Sequence, residues 1–176
     1  MYSFENELYA KGYEFVCGTD EAGAGPLAGP VYAAAVILGK DTVIEGLNDS
    51  KKLSEKKREK LFDEIVEKAH AYAIVDVSET VIDDINILNA RMLAMRQAVA
   101  SLEIKPDFLL VDGNRDPNAG VETLCVIGGD GKSASIAAAS ILAKVSRDRF
   151  MLKMAQEYPQ YMFEKHKGYG TKVHVE

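Results

Sequence analysis

Short apolar runs recur along the chain, and each ends at polar or glycine-rich residues. Runs of about four to eight apolar residues bounded by turn-forming residues are typical of strands buried in a sheet. Five segments fit this pattern: residues 15–19, 31–38, 71–77, 108–111 and 124–127. The glycine-rich segment 22–30 separates the first two, which predicts a hairpin.

Three other segments have the apolar spacing of helices. The first helix is predicted to begin after Ser54, and the second after Asp84, each as its N-terminal cap. Their apolar stripes are Leu61, Phe62, Ile65, Val66 and Ala69 in the first, and Ile85, Leu88, Met92, Met95 and Val99 in the second. The third is the alanine-rich segment 133–149, whose small side chains would allow close approach to a sheet.

The order of these elements is strand, strand, helix, strand, helix, strand, strand, helix. This order predicts an α/β fold with a mixed five-stranded sheet flanked by helices. A chain of 176 residues suits one domain, so we expect residues 1–176 to form a single unit. The segment from about residue 158 to residue 176 is polar and contains glycine, which predicts an irregular C-terminal tail.

Acidic residues occur where apolar strands give way to glycine. Asp20 and Glu21 follow the first predicted strand, Asp112 the fourth and Asp130 the fifth. Active sites of open α/β sheets lie at strand ends, and carboxylates gathered there would repel one another unless cations such as Mg²⁺ or Mn²⁺ held them. Each acid also has an ordinary explanation: a surface hairpin for Asp20 and Glu21, a turn for Asp112, and a helix cap for Asp130.

Charge is distributed unevenly in this chain of net charge −6. Residues 132–176 contain eight Lys/Arg against four Asp/Glu, whereas residues 1–131 contain 13 against 23. An acidic body with a basic C-terminal quarter is compatible with a metal site beside a phosphate-binding surface. The start of the chain has no export signal, no apolar run could span a membrane, and Cys17 and Cys125 have no metal-ligand spacing, so we expect a soluble cytoplasmic protein.

Three segments suggest phosphate or nucleic-acid contacts. Residues 128–133, Gly-Gly-Asp-Gly-Lys-Ser, resemble a nucleotide phosphate loop, but the full pattern needs glycine where this chain has Val126. Lys51 and Lys52 belong to a basic cluster that fits either a solvated helix face or a backbone phosphate contact. Tyr169 lies between two glycines and near lysines, where its ring either stacks on a sugar or base or anchors the loop.

Taken together, these segments closely resemble bacterial ribonuclease HII. The resemblance runs in order from about residue 13 to the last residues, through residues 18–23, 25–31, 48–53, 111–113, 129–133, 140–148 and 168–174. It implies a ribonuclease H-like fold and an endonuclease that cuts the RNA strand of RNA/DNA hybrids. It also implies incision on the 5′ side of single ribonucleotides in duplex DNA, leaving 5′-phosphate and 3′-hydroxyl ends, as in ribonucleotide excision repair.

By the same resemblance, Asp20, Glu21, Asp112 and Asp130 are the four catalytic, metal-binding carboxylates. They would hold two Mg²⁺ or Mn²⁺ ions, with Asp20 touching both ions and Asp130 nearer the attacking water.

Substrate recognition in the family implies further residues. Gly23, Ala24 and Gly25 would read the 2′-hydroxyl through their backbone, and Tyr169 would pack on the adjoining deoxyribose. Lys51, Ser133 and Lys144 are candidates for phosphate contacts or for support of the site.

The chain departs from the family pattern at three places. Ala24 stands where an arginine is usual, and Gly131 stands where an alanine is usual. The chain also ends at Glu176, where relatives commonly continue with another helical segment, so the tail is either shortened or naturally compact. The alternative to an active, monomeric nuclease is therefore a catalytically impaired hybrid-binding protein of the same fold.

Overall fold

A computed structural model describes residues 1–23 and 29–157 and shows a five-stranded mixed sheet. The strands are β1 (Val16–Ala22), β2 (Val31–Ile37), β3 (Ala71–Val77), β4 (Phe108–Asp112) and β5 (Thr123–Val126). Their order across the sheet is β3-β2-β1-β4-β5. The β1, β2 and β3 strands pair antiparallel, whereas β4 is parallel to both β1 and β5. The predicted mixed five-stranded sheet is confirmed.

Helices cover both faces of this sheet. They are α1 (Ser3–Ala10), α2 (Glu55–Lys68), α3 (Glu79–Ala100) and α4 (Ala134–Glu157), with short 3₁₀ turns at Ser50–Lys52 and Gly129–Gly131. One core joins Ala34 and Val36 of β2 to α2 and α4, and the other joins Ala33 and Ala35 to α3. Because side chains of a strand alternate between faces, the all-apolar β2 contributes to both cores.

The helix α4 lies directly against β1. A Cβ atom added at Gly18 would fall 2.2 Å from the carbonyl carbon of Ser135 and 2.4 Å from the amide nitrogen of Ile136. Only glycine can therefore occupy position 18 at this separation. Buried alanines along α4, such as Ala137, Ala138 and Ala139, allow the same close approach, as the alanine-rich pattern predicted.

Two predicted boundaries were wrong, and one helix contains a break that was not predicted. α3 begins after Ser78, whose hydroxyl oxygen accepts a hydrogen bond from the amide of Val81, rather than after Asp84. It breaks at Asn86, where φ is +65°, and resumes with the amide of Asn89 donating to Asn86 Oδ1. β1 continues through Asp20 and Glu21 instead of ending before them.

Other boundaries lie as predicted or extend further. Ser54 caps α2 by accepting a hydrogen bond from the amide of Lys57 at 3.2 Å, as expected. α4 runs beyond residue 149 to Glu157, and α1 had not been predicted. No helix among residues 1–23 and 29–157 is both long and apolar enough to cross a bilayer. The predicted irregular tail, residues 158–176, lies outside the described residues.

Candidate active site

Three carboxylates meet at the end of the sheet where β1, β4 and β5 lie side by side. Asp20 belongs to β1, Asp112 ends β4, and Asp130 lies in the 3₁₀ turn that follows β5. One carboxylate oxygen from each lies within 4.8 Å of the others. The three strands run parallel, so their carboxyl ends lie at one edge, and this brings together residues up to 110 positions apart in sequence.

Strand alternation puts Asp20 and Asp112 on the same face. Asp20 lies two residues after Gly18, which contacts α4, and Asp112 lies two residues after Leu110, which packs in a core with Ile136 of α4. Asp112 Oδ1 accepts a hydrogen bond from the amide of Asp130 at 3.2 Å. That bond fixes the turn after β5 against the end of β4.

Burial and mutual repulsion raise the pKa values of two of these acids. Asp20 is only 4% exposed, and its pKa is raised first by burial and then by the neighbouring carboxylates of Glu21 and Asp112. Burial is also the main cause that raises the pKa of Asp130 to about 6, followed by the charges of Asp112 and Asp49, while Lys51 acts in the opposite direction. A bound cation would relieve this repulsion among the acids.

Glu21 reaches the site from the other face of the sheet. Its side chain is 9% exposed, and its Oε1 accepts a hydrogen bond from Nε of Arg91 at 2.9 Å. Glu21 lies close enough to raise the pKa of Asp20, but it is not in the group of three whose oxygens lie within 4.8 Å. Arg91 therefore compensates its charge, whereas Asp20, Asp112 and Asp130 remain the tight group.

The acids lie in an open cleft of about 450 Å³ that is also lined by cations. Lys51 comes from the turn Ser50–Lys52, Arg91 from α3, and Lys144 and Arg147 from α4. Lys144 Nζ lies 3.2 Å from Asp148 Oδ1. An acidic floor with a basic rim fits a polyanion bound through metal ions and direct phosphate contacts.

Comparison with known proteins identifies the family. The sequence model of the ribonuclease HII family matches residues 17–176. The chain belongs to the ribonuclease HII family. Ribonuclease HII of Caldicellulosiruptor bescii is 57% identical over 175 residues, which cover 99% of this chain and 85% of that protein. Ribonuclease HII of Idiomarina loihiensis is 62% identical over 161 residues, covering 92% and 86%.

Solved structures confirm the predicted ribonuclease H-like fold. Ribonuclease H2 of Pyrococcus horikoshii superposes with a TM-score of 0.75 at 31% identity, over 91% of this chain and 82% of that one. Ribonuclease HII of Archaeoglobus fulgidus, in a complex with PCNA, gives a TM-score of 0.72 at 25% identity over the same shares. As a ribonuclease HII, the chain is an endoribonuclease, and the alternative of an impaired binder has no support from these relatives.

The residues predicted to bind substrate have different outcomes. Gly23, Lys51 and Lys144 line the cleft. Gly23 has a φ of +90°, and a Cβ atom there would fall 2.1 Å from Nε of Arg147, so this ribonuclease HII needs glycine at the position. Ala24, Gly25 and Tyr169 lie outside the described residues.

Ser133 is not among the residues that line the cleft, and of its two predicted roles, a phosphate contact or support of the site, its bonds favour the second. It is fully buried, its hydroxyl donates to Oε2 of Glu5 at 2.6 Å, and it accepts a hydrogen bond from the amide of Ile136. The amide of Ser135 donates to the same Glu5 oxygen at 2.8 Å. Ser133 instead caps α4 and joins it to α1, which supports the site from behind.

Several cleft residues had not been singled out from the sequence. Ser50 and Ser140 have hydroxyl oxygens 3.0 Å apart, which ties the turn that carries Lys51 to α4. Ser140, Lys144 and Arg147 recur at helical spacing, so the 3.6-residue period could have placed them on one face. For Arg91 there was no such signal, because its partner Glu21 is 70 residues away in sequence.

Proposed function

We propose that this ribonuclease HII hydrolyses the RNA strand of RNA/DNA hybrids and incises duplex DNA on the 5′ side of single ribonucleotides. The products would carry 5′-phosphate and 3′-hydroxyl ends, as ribonucleotide excision repair requires. The convergence of Asp20, Asp112 and Asp130 in the cleft of a ribonuclease HII chain is the observation that carries the proposal.

The donor set fits Mg²⁺ or Mn²⁺. Carboxylate oxygens are hard ligands, and the burial that raises the pKa of Asp20 leaves a charge cluster that a divalent ion would relieve. Asp20, Asp112 and Asp130 would hold the ions, with Glu21 as the fourth ligand. When bound, two such ions supply activation of the attacking water and charge stabilisation at the leaving 3′ oxygen.

The protein groups position these ligands before substrate arrives. The amide of Glu21 donates to Asp20 Oδ1 at 2.8 Å, and the amide of Asp130 donates to Asp112. Asp112 is close to both Asp20 and Asp130, since one carboxylate oxygen of each lies within 4.8 Å of the others. Our assignment of Asp20 as the carboxylate shared by both ions, with Asp130 nearer the water, stays a prediction.

Substrate binding would depend on the basic rim and the glycine-rich loop. Lys51 and Lys144 line the cleft, and we assign them contacts with backbone phosphates. We assign the reading of the 2′-hydroxyl to the backbone of Gly23, Ala24 and Gly25, because this hydroxyl alone distinguishes a ribonucleotide from its deoxyribonucleotide counterpart of the same base.

The test is cleavage of an end-labelled DNA duplex that contains one ribonucleotide, with Mg²⁺ or Mn²⁺. We expect incision on the 5′ side of the ribonucleotide and none in an all-DNA duplex of the same sequence. Asp20→Asn should abolish incision while preserving the fold, and full turnover by that variant would contradict the proposed site. Ala24→Arg should tighten substrate binding if the missing cation limits it.

We also propose that the protein acts as a monomer in the cytoplasm. A relative from Archaeoglobus fulgidus has been solved in complex with PCNA, and that complex is a property of the relative. Light scattering of the purified protein should give the mass of one 19.2 kDa chain, and a stable dimer would contradict this proposal.

A further inference from the structure

Arg91 belongs to the basic rim of the active-site cleft, and it has no individual role in the function proposed so far. Its Nε donates to Glu21 Oε1 at 2.9 Å, and its side chain is 34% exposed while that of Glu21 is 9% exposed. Among the described residues, the two terminal nitrogens of the guanidinium have no hydrogen-bond partner. Arg91 thus has one nitrogen fixed to an active-site acid and two with remaining capacity to donate.

Arg91 lies shortly after the break in α3. The helix resumes after Asn86, and Arg91 lies in the first two turns of the second segment. Its neighbours Ala90 and Ala94 are fully buried in the core between α3 and the sheet. Packing therefore holds the backbone at Arg91, and the hydrogen bond to Glu21 holds the guanidinium at the far end of the side chain.

Arg91 approaches the acidic cluster from a different direction than the other cations of the rim. Lys144 belongs to α4, and the turn that carries Lys51 is tied to α4 through Ser50 and Ser140. Arg91 comes from α3, which covers the opposite face of the sheet. A nucleic-acid backbone lying across the cleft would thus meet cations on both sides of the carboxylates.

We propose that Arg91 binds a backbone phosphate of the substrate next to the scissile position, and that Glu21 orients it. Arginine suits this role because its planar guanidinium can give two parallel hydrogen bonds to a phosphate while another nitrogen stays with a carboxylate. The inference rests on the proposed function, since it concerns the same cleft and the same substrate.

The competing explanation is that Arg91 only neutralises Glu21. The two roles differ in their salt dependence, because each protein–phosphate contact releases condensed counterions and steepens the dependence of log Kd on log salt concentration by about 0.7–0.9. Neutralising a protein carboxylate releases no counterion from the nucleic acid. The salt slope therefore distinguishes a substrate contact from a purely structural ion pair.

The experiment measures binding of a fluorescent RNA/DNA hybrid by anisotropy, in EDTA, over a series of KCl concentrations. Arg91→Gln should weaken binding several-fold at low salt and lower the slope by about 0.7–0.9. Arg91→Lys should keep most of the slope, because it keeps the charge, while binding less tightly than arginine. In the presence of metal, Arg91→Gln should raise KM more than it lowers kcat.

Arg96→Gln is the matched control. It removes the same charge from the same helix, but Nη1 of Arg96 donates to the carbonyl oxygen of Pro117 at 2.9 Å, and Arg96 does not line the cleft. Its salt slope should equal that of the unmodified protein. An unchanged slope for Arg91→Gln, or an equal change for both variants, would overturn the inference.

The binding assay is independent of cleavage. If the unmodified protein incises its substrate but Arg91→Gln keeps the full slope, the inference fails and the proposed function stands. If the slope changes as expected but no incision occurs, the proposed function fails and Arg91 is still a phosphate contact. Should Arg91→Gln not fold, a loss of slope in Arg91→Lys would still contradict the proposed charge contact.

Discussion

Replacing Asp130 by asparagine should stabilise the metal-free protein. The pKa of Asp130 is raised from its ordinary value of 3.8 to about 6, so its ionised form is disfavoured in the folded state. The main cause is burial, and the charges of Asp112 and Asp49 add to it. Asparagine has nearly the same shape and no charge, so Asp130→Asn removes this unfavourable term.

The size of the effect follows from the pKa change. Two pKa units correspond to about 3 kcal/mol. Because Asp130 is half-exposed, water screens much of the electrostatic cost of its ionised form. We therefore expect Asp130→Asn to raise the free energy of unfolding by about 1 kcal/mol. For a chain of this length that corresponds to a Tm increase of about 2–4 °C.

The stability advantage of Asp130→Asn over the unmodified protein should increase with pH. The pKa is higher in the folded state, so the folded protein binds the proton more tightly and loses stability as pH rises. Below about pH 4 the carboxyl is protonated in both states, and the variant has no advantage. The advantage should develop between about pH 4 and pH 6 and stay constant above that range.

The assay is thermal unfolding of both proteins in EDTA across this pH range, followed by the same scans with Mg²⁺. With metal the order should reverse, because ions that bind only the folded unmodified protein raise its Tm. The reasoning would be refuted if Asp130→Asn were no more stable than the unmodified protein at about pH 7.5, or if its advantage were equally large at about pH 4.

Two further substitutions test the framework that holds the site. Gly18→Ala should lower the free energy of unfolding, measured by chemical denaturation, by about 2–3 kcal/mol or more and should lower incision, because its Cβ would lie 2.2 Å from the backbone of Ser135. Gly131→Ala is the control and should be nearly neutral, because a Cβ there meets nothing within 4 Å. Glu5→Gln should lower the free energy of unfolding by about 1–2 kcal/mol, because it weakens the buried hydrogen bonds to Ser133 and Ser135. The exposed Glu7→Gln is the control and should change it by under about 0.5 kcal/mol, and equal effects of the two variants would contradict the role of Glu5.

The sheet was predictable because its strands are short apolar runs separated by clear turn residues. The packing of α4 was predictable in kind, since an alanine-rich helix can approach a strand closely. α1 was not predictable from its pattern: it has only eight residues, and Tyr2 at its start makes no side-chain cap. The break at Asn86 was equally hidden, because the apolar stripe from Ile85 to Val99 continues across it.

The proximity of the three aspartates could be anticipated because each lies near the carboxyl end of a strand. The role of Ser133 could not, because the direction of its hydroxyl depends on Glu5, which lies 128 residues away in sequence. The role of Arg91 could not be anticipated for the same reason, since only the packing of α3 against the sheet brings it to Glu21 at the end of β1. Local sequence patterns do not indicate which distant residue a polar side chain will contact.

The most direct test of the metal site is calorimetric titration of Mn²⁺ into the unmodified protein and into Asp112→Asn. Asp112 is the carboxylate whose charge raises the pKa of both Asp20 and Asp130, so its loss should weaken Mn²⁺ binding by at least about tenfold. The exposed Asp63→Asn is the control and should bind as the unmodified protein does. Undiminished Mn²⁺ binding by Asp112→Asn would contradict the assignment of this cluster as the metal centre.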